Sequence, residues 1–202
     1  MDERKFFDNL APTWDANEVL STPVRVSAIL EHARIKNGES VLDLGTGTGI
    51  LLPHLAKRVG PRGSITAVDY SQGMLDMAIR KYAGIVPAPA FFNLDFETET
   101  IDGVFHHILL YCVYPHLHTP VDTLCWLRAV NLAENGIITI AFPTDESFIN
   151  SIHRQKHSES DSLPPAHELA QLLRSHGLDA VVAKADKDSY IINISKEPCT
   201  LE

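Results

Sequence analysis

Residues 41–49 read Val-Leu-Asp-Leu-Gly-Thr-Gly-Thr-Gly and predict a buried strand that ends in a tight glycine turn. The apolar run carries one acid, Asp43, and the three glycines follow at spacings of two residues. Without a Cβ atom, a glycine lets a bulky ligand approach the backbone closely. Twenty residues beyond Gly49, Asp69 ends a second apolar run, where an acid can accept hydrogen bonds from two ribose hydroxyls. The two features together indicate a pocket for a nucleoside-bearing ligand.

Strand and helix signals alternate along the chain from about residue 40, as in parallel sheets with helical crossovers. The last two β runs, 178–183 and 189–195, are joined by a short charged segment that suits an antiparallel pair. We therefore predict an α/β fold whose sheet is mostly parallel with one reversed strand near the C-terminus. The five earlier strands are expected near residues 41–44, 65–68, 90–94, 103–110 and 137–142.

The length of 202 residues predicts one domain, 1–202. Residues 1–35 form a helical cap or lid in this interpretation, and residues 36–202 form the core. Within the core, the polar stretch 145–163 is weakly periodic, so it is expected to be a mobile loop or a frayed helix.

Composition limits the classes of partner. Lys and Arg total 17 against 26 Asp and Glu, so the net charge of −9 opposes a phosphate backbone, and no nucleic-acid partner is expected. The three cysteines are far apart and fit a reducing cytoplasm. No apolar run approaches the roughly 20 residues of a membrane helix, so a cytoplasmic protein without a membrane partner is expected. The oligomeric state stays open, and a homodimer is one option.

Two common nucleotide motifs do not fit the glycine turn. A dinucleotide fingerprint needs Gly-x-Gly-x-x-Gly, and its third glycine position falls on Ile50 or Leu52, depending on the register. NAD is therefore disfavoured. A Walker phosphate loop needs Gly-Lys-Ser/Thr, which is also absent here.

The pattern Asp-Leu-Gly-Thr-Gly-Thr-Gly at residues 43–49 closely resembles the first motif of class I S-adenosylmethionine-dependent methyltransferases. Residues 7–15 also resemble the opening helix of ubiquinone/menaquinone-biosynthesis-type enzymes (methyltransferase type 11/25-like), where this segment folds over the cofactor. The resemblance implies a Rossmann-like, doubly wound, seven-stranded sheet and S-adenosyl-L-methionine as cofactor. It implies that Asp69 binds the ribose and Asp95 the adenine amino group. The implied cofactor-binding residues are Asp43, Gly45, Thr46, Gly47, Gly49, Asp69, Tyr70, Met74, Leu94, Asp95, Phe96 and His107.

The acceptor side is expected in residues 102–118, which contain the fourth predicted strand and the loop after it. The Asp/Asn-Pro-Pro-Tyr element of amino methyltransferases is missing here. The only acid, Asp102, lies at the beginning of this strand, whereas metal-dependent catechol-type enzymes place a carboxylate at its end. Both departures favour a small-molecule acceptor. Four histidines lie close together, but no carboxylate or thiolate set with ligand spacing accompanies them, so no metal site is predicted.

Three residues of this segment are candidate catalytic groups. Tyr111 matches the aromatic residue of an aromatic-His pair in small-molecule enzymes, and Cys112 replaces the histidine. His116, or alternatively His118, can then serve as a base near neutral pH. Of the two strand histidines, His107 is chosen over His106 as the one that faces the cofactor pocket. A solvated-loop interpretation of the two later histidines stays open.

Taken together, the sequence predicts an S-adenosylmethionine-dependent methyltransferase (EC 2.1.1.-). The proposed reaction is metal-free in-line transfer to the oxygen or carbon of a small molecule, because a sulfonium donor is already activated. Three alternatives stay open. They are a non-catalytic cofactor-binding module, a nucleotide-dependent oxidoreductase, and an RNA or protein methyltransferase.

Overall fold

The computed structural model describes residues 3–17, 19–155 and 162–196. Helical and extended segments alternate through the middle of the chain, as the sequence indicates. The strands are β1 (Ser40–Leu44), β2 (Ser64–Asp69), β3 (Ala90–Asn93), β4 (Phe105–Tyr111), β5 (Leu132–Phe142), β6 (Asp179–Asp186) and β7 (Ser189–Ser195). The α-helices are α1 (Glu3–Leu10), α2 (Trp14–Asn17), α3 (Pro23–His32), α4 (Leu52–Val59), α5 (Gln72–Tyr82), α6 (Pro120–Trp126), α7 (Glu146–Gln155) and α8 (Ala166–Ser175).

All seven strands form one sheet in the order β3-β2-β1-β4-β5-β7-β6. Strands β1 to β5 pair in parallel, and β7 runs antiparallel to both of its neighbours. The predicted Rossmann-like architecture with one antiparallel strand is thereby confirmed. The strand order reverses between β1 and β4, and in open α/β sheets ligands bind outside the carboxyl ends of the strands at such a point.

Alternation along β1 explains how the sheet is covered on both faces. Leu42 and Leu44 belong to a core that includes residues of α6, α7 and α8, whereas Val41 belongs to a second core with α3 and α4. Successive side chains of a strand point to opposite faces, so a continuous apolar run serves both cores. Asp43 therefore lies on the same face as Val41 and interrupts an otherwise apolar strand.

The fifth strand begins earlier than predicted. The sequence indicates a turn at residues 135 and 136 that opens a strand at 137, but β5 runs from Leu132 through both residues. The register against β4 shifts between Phe105 and His107, so the extra residues form a bulge. Asn135, with a φ of 60°, provides the turn-like backbone within that bulge.

The segment 145–163 contains a helix rather than a loop throughout. Helix α7 occupies residues 146–155, and its Asn150 side chain bonds both the backbone N–H and the carbonyl of Leu163 at 2.8 and 2.9 Å. Residues 156–161, which the sequence assigns to the same polar segment, lie outside the described residues.

The N-terminal part is helical, as predicted, with α1 and α2 separated by a single 3-10 turn over Ala11–Thr13. The assignment of residues 1–202 to a single domain with a cap over 1–35 stays a prediction. In the described part of the chain, every helix is too short or too polar to cross a membrane.

Candidate functional site

A cavity of about 420 Å³ opens at the carboxyl ends of β1, β2 and β4. Its floor is the glycine turn after β1, and further walls come from α1, α2 and α7. Ten of the fourteen candidate site residues line it. These are Gly45, Thr46, Gly47, Asp69, Tyr70, Met74, Asp95, Phe96, Tyr111 and His116.

Gly47 lines the cavity with its backbone. Its φ is +56°, which L side chains rarely adopt, and a Cβ built there meets no atom within 4 Å. That open space is the cavity, so the absent side chain is what leaves room for a ligand. Gly49 differs, because a Cβ there would contact Leu52 and Tyr82 of the flanking helices at 2.8 to 2.9 Å. Gly49 therefore allows helix packing and does not line the cavity.

Asp69 holds the turn in place. Its Oδ2 accepts the backbone N–H of Gly47 at 2.7 Å, and its Oδ1 accepts the N–H of Ser71 at 2.9 Å. The side chain lines the cavity although the residue is only 5% exposed. Burial raises the pKa of Asp69 to about 6, against these two hydrogen bonds. The carboxylate thus fixes one end of the glycine turn and presents its remaining lone pairs to the cavity.

Asp43 does not reach the cavity surface. It is buried beneath the turn, and its Oδ2 accepts the Thr46 hydroxyl at 2.7 Å. Burial raises the pKa of Asp43 to about 7, opposed by the Thr46 hydrogen bond and helped by the charge of Asp69. Its position supports the turn through Thr46, so any effect on a ligand would pass through that hydroxyl or a water molecule.

The side of the cavity beyond β2 and β3 is lined by Tyr70, Met74, Asp95 and Phe96. The sequence prediction that Leu94 also flanks the ligand is wrong in this structure. Leu94 packs against the hydrophobic core on the side of α6 and α8. The aromatic ring of Phe96 is therefore the apolar surface that this loop contributes.

The opposite side contains two of the proposed catalytic residues. Tyr111 ends β4, and its hydroxyl donates to the buried Ser21 Oγ at 2.7 Å, so the ring rather than the hydroxyl is the part available to the cavity. The imidazole of His116 packs edge-on against Phe7, with 5.5 Å between ring centres. Its Nδ1 lies 3.9 Å from Glu3 Oε1 of α1. Both cap residues line the same cavity as His116.

His118 is the weaker candidate base. Its Nδ1 lies 3.1 Å from Glu97 Oε2, and the imidazole is 81% exposed. The hydrogen bond and charge of Glu97 raise the pKa of His118. His118 also lines the cavity, but its imidazole is mostly exposed and its Nδ1 is engaged by Glu97, whereas His116 packs against Phe7 at the cavity wall, so His116 is favoured.

His107 lies away from the cavity. It is the third residue of β4, pairs with Val41 at the beginning of β1, and is absent from the described cavity lining. Its Nε2 lies 2.7 Å from Glu39 Oε2, and the residue is 4% exposed. The prediction that His107 faces the cofactor pocket is wrong, because the residue lies toward the amino ends of the strands.

The charges around the cavity are mostly negative. Glu3, Asp69, Asp95 and Glu97 line it, while the described part of the chain contributes neither lysine nor arginine to the lining. Low-dielectric walls of one sign favour a ligand of the opposite charge. Across residues 3–17, 19–155 and 162–196, no group of three His, Cys, Asp or Glu side chains is placed to hold a metal ion.

Sequence reasoning missed part of the cavity wall. Phe148, Ile149 and Ile152 of α7 line it, although their segment is predicted only as a mobile loop or a frayed helix, without a role at the site. Their spacing of i, i+1 and i+4 is the signal of a helical face that identifies them in retrospect. Glu97 was also missed, and no local pattern distinguishes it, because its partners His118 and Thr119 lie more than 20 residues away.

The comparisons with known proteins agree with this geometry. Residues 41–131 match the family described as a methyltransferase domain, a span that runs from β1 to the end of α6 and its π-helical extension. Residues 41–131 of this chain carry a methyltransferase domain. The family predicted from the spacing of the glycines and acids is thereby confirmed.

One similar curated protein matches less than half of this chain. Demethylmenaquinone methyltransferase from Lactobacillus johnsonii (strain CNCM I-12250 / La1 / NCC 533) is 36% identical over 87 residues, which are 41% of this chain and 36% of the relative. This chain thus spans less than half the length of that curated relative.

Two solved structures share the methyltransferase fold over nearly the whole chain. A SAM-dependent methyltransferase from Aquifex aeolicus has a TM-score of 0.69 and 22% identity, covering 88% of this chain and 95% of its own. The DhpI-SAM-HEP complex has a TM-score of 0.72 and 21% identity, covering 94% of both chains. At these identities the two likenesses show the fold alone.

The placement of His107 leads to a prediction that separates stability from binding. Replacing His107 with leucine leaves Glu39 without its imidazole partner, so the free energy of unfolding is expected to fall by about 1–3 kcal/mol. Ligand affinity at the cavity should stay within about twofold, since the effects of distant sites are independent. Urea unfolding and calorimetry on the same preparation check both parts. A large loss of ligand affinity with unchanged stability would instead indicate that His107 acts in ligand binding.

A second prediction concerns the buried charge of Asp43. Its pKa in the folded protein is raised to about 7, so its contribution to stability is greatest below the unfolded pKa and is lost as the pH rises toward 7. Asp43→Asn removes the cost of burying a charged carboxylate. The variant should therefore have a free energy of unfolding about 1–3 kcal/mol higher at pH 8, with a smaller gain at pH 5. Urea unfolding at both pH values measures the difference. A variant that is less stable at pH 8 would contradict the assignment.

Proposed function

We propose that this protein transfers the methyl group of S-adenosylmethionine to a small, largely apolar acceptor by in-line displacement at oxygen or carbon. The observation that carries the proposal is the acidic cavity at the glycine turn. Asp69 and Asp95 line it, and none of the described lining residues is a lysine or arginine. S-adenosylmethionine carries a sulfonium and an ammonium group, so this lining favours it over a dinucleotide, whose pyrophosphate is negative.

In this proposal, three residues of the chain bind three different parts of the methyl donor. The open side of Gly47 accommodates the amino-acid end, Asp69 accepts hydrogen bonds from the ribose hydroxyls, and Asp95 lies where the adenine amino group would bind. When bound, the cofactor supplies a methyl group that the sulfonium has already activated. The protein then has to place the acceptor in line with it and exclude water.

The acceptor side supports an apolar substrate. Besides the ring of Tyr111, it is lined by Phe142, Phe148, Ile149 and Ile152. The similar protein from L. johnsonii is named a demethylmenaquinone methyltransferase. A quinone in its reduced quinol form is a planar aromatic ring that bears hydroxyl groups, and such a ring suits these apolar walls. We therefore propose a quinol-like acceptor.

His116 is the proposed general base for such an acceptor. Phe7 packs against its ring beside the cavity, and the carboxylate of Glu3 lies 3.9 Å from its Nδ1. A base is needed only where the acceptor keeps its proton at the working pH, as a quinol hydroxyl does near neutrality. The hydroxyl of Tyr111 holds the segment before α3 through its bond to Ser21, and its ring forms an aromatic part of the cavity wall.

The proposal is tested by incubating the protein with S-adenosylmethionine and one acceptor at a time, and measuring S-adenosylhomocysteine formation. The panel contains a 1,4-naphthoquinol, a catechol, a peptide mixture and total RNA. We expect turnover with the quinol or the catechol. Donor binding without turnover on any acceptor would indicate a non-catalytic module, and turnover on RNA or peptide alone would replace the small-molecule assignment.

A further inference from the structure

The N-terminal segment 3–17, called the cap below, forms part of the cavity wall and has one buried residue, Ala11, among its described side chains. None of the eight described residues of α1 is buried, yet Phe6 and Phe7 both line the cavity, as does Trp14 of α2. Phe7 is the centre of a ring cluster, lying 5.8 Å from Trp14 and 6.0 Å from Tyr70. Segments with few buried apolar contacts open at low free-energy cost. Polar contacts to the rest of the domain therefore matter for where the cap lies.

Asp15 makes the first of these contacts. Its Oδ1 accepts the Thr48 hydroxyl at 2.5 Å, and its Oδ2 lies 2.7 Å from Lys81 Nζ of α5. Thr48 belongs to the glycine turn, is 2% exposed and lines the cavity next to Gly47. Asp15 also follows Trp14 directly in α2. One carboxylate thus connects the glycine turn, the helix after β2 and the aromatic part of the cap.

Asp8 makes the second contact at the other end of α5. Its Oδ1 accepts the Ser71 hydroxyl at 2.6 Å and the Gly73 backbone N–H at 2.9 Å. A Cβ at Gly73 would lie 3.1 Å from the Asp8 carbonyl oxygen, so α1 approaches this helix about as closely as a glycine permits. Ser71 is in turn bonded through its backbone to Asp69. Both aspartates of the cap therefore bind residues adjacent to the proposed donor-binding groups.

We propose that Asp15 is a positioning residue for the methyl donor, acting through Thr48 to hold the cap and the glycine turn together, with Asp8 supporting it at α5. The inference rests on the proposed function, because it concerns affinity for that donor. A bound donor fills the cavity beneath Phe7 and Trp14 and stabilises the closed cap. A ligand that binds the closed form better shifts the population toward it, so contacts that hold the cap closed raise affinity without touching the ligand.

The test measures S-adenosylhomocysteine affinity by calorimetry and its dissociation rate by stopped-flow fluorescence. Thr48→Val and Asp15→Ala are each expected to raise Kd about tenfold, mainly through faster dissociation, since each loses a hydrogen bond to a charged group. Thr48→Ser keeps the hydroxyl and should stay within about twofold of the natural chain. Asp122→Ala, in an exposed position of α6, is the control for loss of one negative charge.

Combining the two substitutions separates this role from direct contact between Thr48 and the donor. If both residues act through one bond, the double variant binds about as weakly as either single variant, whereas independent effects would multiply to about a hundredfold. Multiplied effects, or a Thr48→Val variant with natural affinity and dissociation rate, would overturn the inference while leaving the proposed function intact. Failure of the natural chain to bind S-adenosylhomocysteine would overturn both.

A second readout follows the cap itself. Arg4 and Lys5 lie in α1 and are trypsin sites. In the natural chain, S-adenosylhomocysteine is expected to slow cleavage there, because the closed cap protects the helix. In Asp15→Ala the same fractional occupancy should protect less. Equal protection at equal occupancy would show that the cap does not depend on Asp15.

Discussion

Gly47→Val is expected to abolish donor binding, with no detectable binding at millimolar S-adenosylhomocysteine. The backbone at Gly47 has a φ of +56°, and the position of a Cβ is empty because it belongs to the cavity. A branched side chain would therefore occupy the space that we assign to the amino-acid end of the cofactor. Isothermal calorimetry measures the loss. The milder Gly47→Ala variant is expected to bind more weakly than the natural chain but more tightly than the valine variant.

Gly177→Val is the matched control for backbone strain. Gly177 also has a positive φ, +79°, and open space around its Cβ position, but it follows α8 and is not among the described cavity residues. Both variants should lose comparable stability from the left-handed backbone, of about 1–2 kcal/mol. Only the substitution at Gly47 should prevent binding. If Gly177→Val lowers the affinity as much, strain rather than occupation of the cavity explains the result.

Asp69→Ala has the second largest expected effect, a loss of about 3 kcal/mol in donor affinity, or about a hundredfold in Kd. Two consequences add up. The proposed ribose hydroxyls lose their acceptor, and the backbone N–H groups of Gly47 and Ser71 lose theirs, which loosens the glycine turn. Calorimetry and the thermal midpoint of the free protein distinguish these parts.

An exposed acid on the neighbouring helix provides the comparison for Asp69. Asp76→Ala in α5 removes the same charge at a surface position, so its Kd should match that of the natural chain. The pH dependence gives a further check. Since burial raises the pKa of Asp69 to about 6, protonation below that pH removes the negative charge, and affinity for a cationic donor should fall between pH 7 and pH 5. Affinity that rises as the pH falls would contradict the role of Asp69.

Local patterns in the sequence account well for the sheet and for the donor side of the site. The glycine spacing and the acid at the end of the next strand predict residues that do line the cavity, because carboxyl ends of parallel strands meet at one edge. The turn predicted at residues 135 and 136 is a bulge instead, since β4 continues to pair with the residues on both sides. Tertiary pairing thus overrides a local turn signal.

Other features depend on distances that no local pattern encodes. Strand alternation indicates which face His107 points to, but not how far along the strand the cavity lies, and this explains the wrong assignment. The bonds from Asp8 and Asp15 reach residues 65 and 33 positions away. The apolar residues of α7 are recognised as one helical face only if the polar residues between them are assigned to the solvent-facing side of a helix. Local sequence patterns therefore predict most residues of the donor site, but they do not predict the residues that line the acceptor side.

The most direct test of the central assignment is calorimetric titration of the natural chain with S-adenosylhomocysteine, with NADH titrated in parallel. We expect one saturable site for S-adenosylhomocysteine, lost in Gly47→Val, and no binding of NADH, because the glycine turn lies in an acidic cavity. Absence of binding by S-adenosylhomocysteine at millimolar concentration, or saturable binding of NADH in its place, would contradict the account.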